Sequence, residues 1–211
     1  MLVRILLVLS VLGALEASKC PDGFKLFERK PTAKNNHTKE WCLGVFTTNE
    51  PMGHHQKARS HCISLNSSLS LPENQKEVDF VLANYNETAE DGITIDGEMT
   101  KKCEIEQLKT GNKMRETKDV LGECNVKNQL FEFDSANSDP TFIKEHFSKF
   151  VPSSTTNHWG SDFKGWYGDF SSCLILKPFE NENKTMVYGE TAYCTGENLK
   201  IEKIVCGRYP L

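Results

Sequence analysis

Eight cysteines constrain this chain more than any other feature, because they follow an N-terminal segment with the layout of a secretory leader. Residues Leu2 to Leu15 carry an early basic residue, Arg4, then an apolar stretch from Ile5 to Leu12, with small residues at Gly13, Ala14, Ala17 and Ser18 around its end. That order predicts a signal peptide over 1–17, cleaved near Ala17, and a single mature domain over 18–211. The apolar run is short for a bilayer span and nothing of that length recurs before Leu211, so the expectation is a secreted, extracellular protein without a transmembrane segment. In that compartment cysteines are read as disulfides.

Cys20, Cys42, Cys62, Cys103, Cys124, Cys173, Cys194 and Cys206 allow about 105 pairings, so the sequence alone does not choose one. Spacing and context narrow the set. Cys20 and Cys42 flank two apolar runs, Phe24 to Phe27 and Trp41 to Phe46, which read as hairpin strands around a polar loop from Arg29 to Glu40. Cys103 and Cys124 enclose a charged, glycine-containing segment, the composition of a surface excursion and an insertion near 98–128. Cys173 precedes the strand-like Leu174-Ile175-Leu176 and Cys194 follows Met186-Val187-Tyr188, so a bridge between them would tie neighbouring strands. Cys62 and Cys206 remain, and a bond there would hold Ile204-Val205-Cys206 against a helix near the start. No two cysteines have the close spacing of a structural zinc site. His54, His55 and His61 cluster without a carboxylate or cysteine pair to complete one, so they are read as part of a solvated or partly capped helix.

The formal net charge is -4, and losing Arg4 together with Glu16 leaves it unchanged. The lysines are interleaved with acidic residues and form no basic stripe, which argues against a nucleic-acid partner. Asn-X-Ser/Thr sequons at Asn36, Asn66, Asn86 and Asn183 mark exposed glycan sites in a secreted chain.

Periodicity supplies the elements. Ala58, Cys62 and Leu65 share one face of a helix between Pro51 and Leu65, which turns Cys62 inward. Ser70 and Glu73 have capping-box spacing, Pro72 suits a first turn, and Val78, Val81, Leu82 and Tyr85 form the apolar stripe of a second helix. Ile93-Thr94-Ile95 alternates and is expected to stop at the turn pair Asp96-Gly97, and Phe131 to Asp134 alternates as well. Phe142, Ile143, His146, Phe147 and Phe150 have helical spacing and end before Pro152. Val151 to Ser172 lacks periodicity and reads as a long loop carrying Trp159, Trp166 and Tyr167; such loops are commonly functional, although these rings could equally cover a secondary core.

In this order the elements resemble a C-type lectin-like domain. The residues that carry the resemblance are Cys20-Pro21-Asp22-Gly23-Phe24, Ala58 with Cys62, and Ser70-Leu71-Pro72-Glu73-Asn74 with Glu77 and Phe80. They continue through Ile93-Thr94-Ile95-Asp96-Gly97, Phe131 to Asp134, Cys173, Cys194 and Val205-Cys206, so the likeness runs over 20–207. It is similar to secreted single-domain forms of invertebrates. The resemblance implies an α+β C-type lectin-like fold in which two helices pack on small antiparallel sheets beside a long loop region. It also implies Cys62–Cys206 and Cys173–Cys194 as core bridges, leaving Cys20–Cys42 as the hairpin bridge and Cys103–Cys124 as a clasp on the insertion.

Sugar-binding members of that family place Glu-Pro-Asn or Gln-Pro-Asp in the long loop and Trp-Asn-Asp before the third core cysteine, and those oxygens hold Ca²⁺. Here Trp166-Tyr167-Gly168-Asp169-Phe170-Ser171-Ser172 precedes Cys173, and Glu190-Thr191-Ala192-Tyr193 precedes Cys194. Asp162, Asp169 and Glu190 could supply some of the six to eight oxygens that Ca²⁺ takes, but the standard triplets are missing and the expectation is binding with no metal or other cofactor. The resemblance therefore implies a binding protein for a glycan or an extracellular protein, with a role in host defence, and Trp159, Trp166 and Tyr167 as contact rings. The alternative is a structural or interaction glycoprotein without sugar binding. An enzyme is not expected: the Gly-X-Ser-X-Gly and His-Glu-X-X-His motifs are missing, and all the cysteines can be paired.

Overall fold

A computed structural model describes residues 18–48, 55–86, 92–102, 131–150, 172–181, 184–193 and 202–211. Residues 1–17, expected to be a signal peptide, the Cys103 to Cys124 segment expected to be an excursion, 151–171 of the expected long loop and Cys194 lie outside the described residues.

The N-terminal hairpin forms where the apolar runs place it. Strands β1 (Lys25–Glu28) and β2 (Glu40–Thr47) pair antiparallel, with Leu26 opposite Cys42. Their polar connection is exposed at most positions but turns three polar residues inward. Arg29, Asn35 and Thr38 are buried, because their polar groups find partners inside. Asn35 donates to Lys30 O and Glu73 Oε2, and its Oδ1 accepts from Thr32 N. Burial of polar groups is tolerated only with such partners.

Helix α1 (His55–Ser64) leads through the short strand β3 (Ser68–Leu69) to helix α2 (Gln75–Leu82). Strands β4 (Ile93–Met99) and β5 (Phe131–Glu132) come next, followed by helix α3 (Thr141–Phe150). Strands β6 (Ser172–Asn181), β7 (Lys184–Tyr193) and β8 (Lys203–Arg208) complete the order. Helices and strands thus mix as an α+β chain. Its strands join into a sheet of order β1-β2-β8-β4-β6-β7, with β3 on β8 and β5 on β4. All pairs are antiparallel except β4 with β8, which run parallel.

Alternation along β8 explains how the sheet is covered on both faces. Ile204 and Cys206 pack with Ala58 and Cys62 of α1, whereas Val205 joins Trp41, Leu43, Ile93, Ile95, Leu174, Leu176 and Val81 of α2. Each large side chain buried this way is worth about 1.5–3 kcal/mol. Disulfides join Cys62 to Cys206 and Cys20 to Cys42. The first links α1 to the central strand β8 across a sequence separation of 144 residues.

Two local expectations are corrected. The second helix does not start in a Ser70–Glu73 box: Ser70 is held as extended chain, its N–H donating to Val205 O and its C=O accepting from Asp96 N, and its hydroxyl accepts from Trp41 Nε1 at 3.1 Å. The cap is Asn74, whose side chain accepts from Glu77 N, while Glu77 Oε2 reaches back to Glu73 N at 2.9 Å. The same chemistry operates four residues later because Ser70 and Glu73 are committed to tertiary partners. Nor does Asp96-Gly97 end a strand. β4 continues to Met99 with a register irregularity between Thr94 and Glu98, and Gly97 takes φ 134, where a Cβ would strike the Leu174 side chain.

Candidate functional site

A polar cluster lies where the irregular stretch of β4 meets helix α1. Asp96 and Glu98 stand two apart on the strand and so project to one side; His55 and Arg59 stand four apart on α1 and share a face. The strand face and the helix face meet. His55 Nε2 accepts from Gly97 N at 3.3 Å and lies 3.8 Å from Asp96 Oδ1. This places the imidazole proton on Nδ1, which faces Glu98 Oε2 at 3.6 Å, beyond hydrogen-bonding distance, and is buried without a partner. Arg59 Nη2 lies 3.4 Å from Glu98 Oε2 and pairs with Asp134.

Asp96 is fully buried and accepts from Asp134 N at 3.3 Å and Ser135 N at 3.0 Å. Desolvation outweighs those bonds and the nearby Arg59, and raises its carboxyl to about 6. Burial, with the charge of Arg59, lowers His55 to about 3, so the imidazole is neutral at physiological pH. The cluster ties α1, β4 and the start of the β5–α3 connection together at the point where Glu98 opposes Cys173 of β6. Among the described residues no group of three or more His, Cys, Asp or Glu side chains is arranged to hold a metal ion.

This cluster was not legible as such in the sequence. Asp96-Gly97 has turn composition and the histidines have the setting of a solvated helix, yet His55 is only 2% exposed. The available signal was the match of an i, i+4 pair on a helix with an i, i+2 acidic pair on a strand.

Of the residues expected to contact a ligand, the described structure includes Glu190. Trp159, Asp162, Trp166, Tyr167 and Asp169 lie outside the described residues. Glu190 sits on β7 with its backbone opposite Ile175 of β6. The described part of the fold fixes both ends of the segment that carries the others. It leaves α3, which runs beside β7, and returns at Ser172, the first residue of β6 and opposite Tyr193. Of the other predicted positions, Asn36, Asn66 and Asn86 are exposed, and Asn183 lies outside the described residues.

The family model described as C-type lectin domain-containing protein 141/158 matches residues 26–209. The chain belongs to that family. A curated relative, C-type lectin domain-containing protein 158 of Caenorhabditis elegans, is 28% identical over 153 residues, covering 69% of this chain and 67% of the relative. Family membership of this C-type lectin domain protein agrees with the α+β arrangement and with the bridge from α1 to β8. The family match runs through the 151–171 segment and both strands that follow it. No helix among the described residues is long and apolar enough to cross a membrane.

Proposed function

We propose that this protein is a secreted C-type lectin-like binding protein that recognises a carbohydrate or an extracellular protein ligand without a standard Ca²⁺ site, and that it acts in host defence. Trp159, Trp166 and Tyr167 are the contact rings of this reading, with Asp162, Asp169 and Glu190 as polar partners. One observation carries it: β6 pairs with both β4 and β7, so the 151–171 segment re-enters the fold at an inner strand. A loop rooted that way can present flat rings to a sugar face or a protein surface at low ordering cost.

Glycan-array binding of the oxidised protein, with Ca²⁺ and with a chelator, tests the proposal. The expected result is binding that survives chelation and is lost in Trp166→Ala. Binding abolished by the chelator would overturn the Ca²⁺-independent reading. A second reading, a structural glycoprotein without sugar binding, is favoured by the exposure of Asn36, Asn66 and Asn86 on the described surface. Silence on the array, with retained folding and occupied sequons, would select it.

A further inference from the structure

Two sequons share a feature that only the tertiary structure exposes. Asn36 and Asn66 are both exposed and both adopt left-handed backbone, φ 51 and φ 52. Among the described residues, no hydrogen bond holds either side-chain amide. The adjacent Asn35 is the opposite case, fully buried and bonded at both ends of its amide. The acceptor nitrogens are therefore available in the folded chain.

The hydroxyls that complete the two sequons are held by the fold, that of Thr38 in a buried residue and that of Ser68 in a half-buried one. Thr38 is 3% exposed; its Oγ1 donates to Asn35 O at 2.6 Å and lies 3.3 Å from the hydroxyl of Tyr209, which itself donates to Asn137 Oδ1. Ser68 Oγ donates to Gly207 O at 3.3 Å, and Ser68 is paired with Gly207 in the β3–β8 ladder. Gly207 and Tyr209, two residues apart, thus engage both hydroxyls. This C-terminal segment is held by the Cys62–Cys206 bond and by pairing of Leu43 with Gly207 and Cys42 with Arg208.

We infer that Asn36 and Asn66 are N-glycan acceptors modified only before β8 docks, so that formation of the Cys62–Cys206 bond ends their window of modification. The reaction class is transfer from a lipid pyrophosphate-linked oligosaccharide. The asparagine amide nitrogen bonds to C1 of the first sugar, the C1–O bond to the pyrophosphate breaks with its electron pair leaving on the lipid pyrophosphate, and the nitrogen loses one proton to solvent. The enzyme reads the asparagine together with the hydroxyl two residues on, and a hydroxyl bonded under β8 is not readable. The two disulfides place the chain in the oxidising compartment where such transfer occurs. Neither hydroxyl meets these partners until residues 207–209 have been made.

The test uses the full mature chain made without glycans, either oxidised and folded or reduced and unfolded, presented to a purified oligosaccharyltransferase and its lipid-linked donor. Site occupancy is read by peptide mass spectrometry. The reduced chain and a Cys62→Ser/Cys206→Ser variant should be modified at both sites, and the folded chain at least about ten-fold less, because β8 must open first. Thr38→Ala should abolish modification at Asn36 alone, and Ser68→Ala at Asn66 alone. Chain secreted from insect cells should carry glycan at both. Equal modification of folded and reduced chain would overturn the timing, and bare Asn36 and Asn66 in the secreted chain would overturn the acceptor assignment.

Discussion

Arg29 grips Glu77 through two parallel hydrogen bonds, Nε to Oε1 and Nη2 to Oε2, each 2.8 Å long, with both side chains wholly buried. The same guanidinium donates to Glu73 Oε1, Leu71 O, Asn137 O and Ser138 Oγ and stacks 5.2 Å from the Trp41 ring. One side chain from the hairpin thus joins α2 to the segment before α3. Burial holds the Glu73 carboxyl above its ordinary range, although Arg29 pulls it down.

Removing one partner of that pair leaves a buried charge without its counterpart. Glu77→Leu should lower folding stability by about 3–5 kcal/mol, since it leaves Arg29 buried without its counter-charge. Arg29→Met should cost a similar amount, and the double variant Arg29→Met/Glu77→Leu less than the sum of the single changes. Urea midpoints of the four proteins check this; additive losses would show that the pair is not coupled.

The Asp96 and His55 groups give opposed pH dependences. Asp96 sits at about 6 in the fold against 3.8 ordinarily, so the folded state holds its proton more tightly; this contribution is full below 3.8 and is lost as pH rises to about 6. His55 sits at about 3 against 6.5, so as pH falls below 6.5 the unfolded chain takes up the proton first, and the fold loses stability until about pH 3, where the folded imidazole is protonated too. The terms offset each other over the overlap. Asp96→Asn removes the first alone, and its stability relative to the parent should fall on acidification from about pH 6 to 4 by up to about 3 kcal/mol. A gap that stays constant across a pH series of denaturant curves would contradict the assignment.

The bridge between Cys62 and Cys206 closes most of the domain into one loop. Its removal in Cys62→Ala/Cys206→Ala should cost about 5 kcal/mol in the chain-entropy picture, read as a lowered thermal midpoint with the Cys20–Cys42 bond intact. An unchanged midpoint would mean that β8 docks as firmly without it.

Gly207 has no room for a side chain. A Cβ there would fall on Trp41 Nε1 and come within 2.7 Å of Ser70 Oγ, where the Trp41–Ser70 hydrogen bond lies at 3.1 Å. Gly207→Ala should destabilise by about 3 kcal/mol through overpacking and loss of that bond. Near-UV circular dichroism of Trp41 and its thermal transition would report it, and a parent-like transition would sink the argument.

Several elements could be read directly from residue order. The β1–β2 hairpin follows its apolar runs, α1 its Ala58/Cys62 spacing, and α3 the stripe through Phe142 and Ile143. These are local patterns, in which neighbours in sequence decide conformation and one face is turned inward. The capping chemistry of α2 was legible in kind but not in place, since Ser70 and Glu73 serve residues far away in sequence. Of the candidate site, the sequence supplied only proposed ligand contacts, in 151–171 and at Glu190, whereas the electrostatic cluster on β4 was hidden by composition: Asp-Gly spells a turn unless sheet neighbours on both sides keep the strand going.

By itself, then, the sequence determined a disulfide-stapled chain of mixed helices and strands with sequons that are exposed at Asn36, Asn66 and Asn86, because cysteine count, periodicity and motif spacing are properties of the chain alone. Only the tertiary structure decided that Arg29, Asn35 and Thr38 of the hairpin loop turn inward, that β4 runs parallel to β8, that His55 is neutral beside an acidic strand, and that Gly207 and Tyr209 engage two sequon hydroxyls. Each of those depends on which distant groups share a water-free interior, where unmet hydrogen bonds and unpaired charges are costly enough to override local preference.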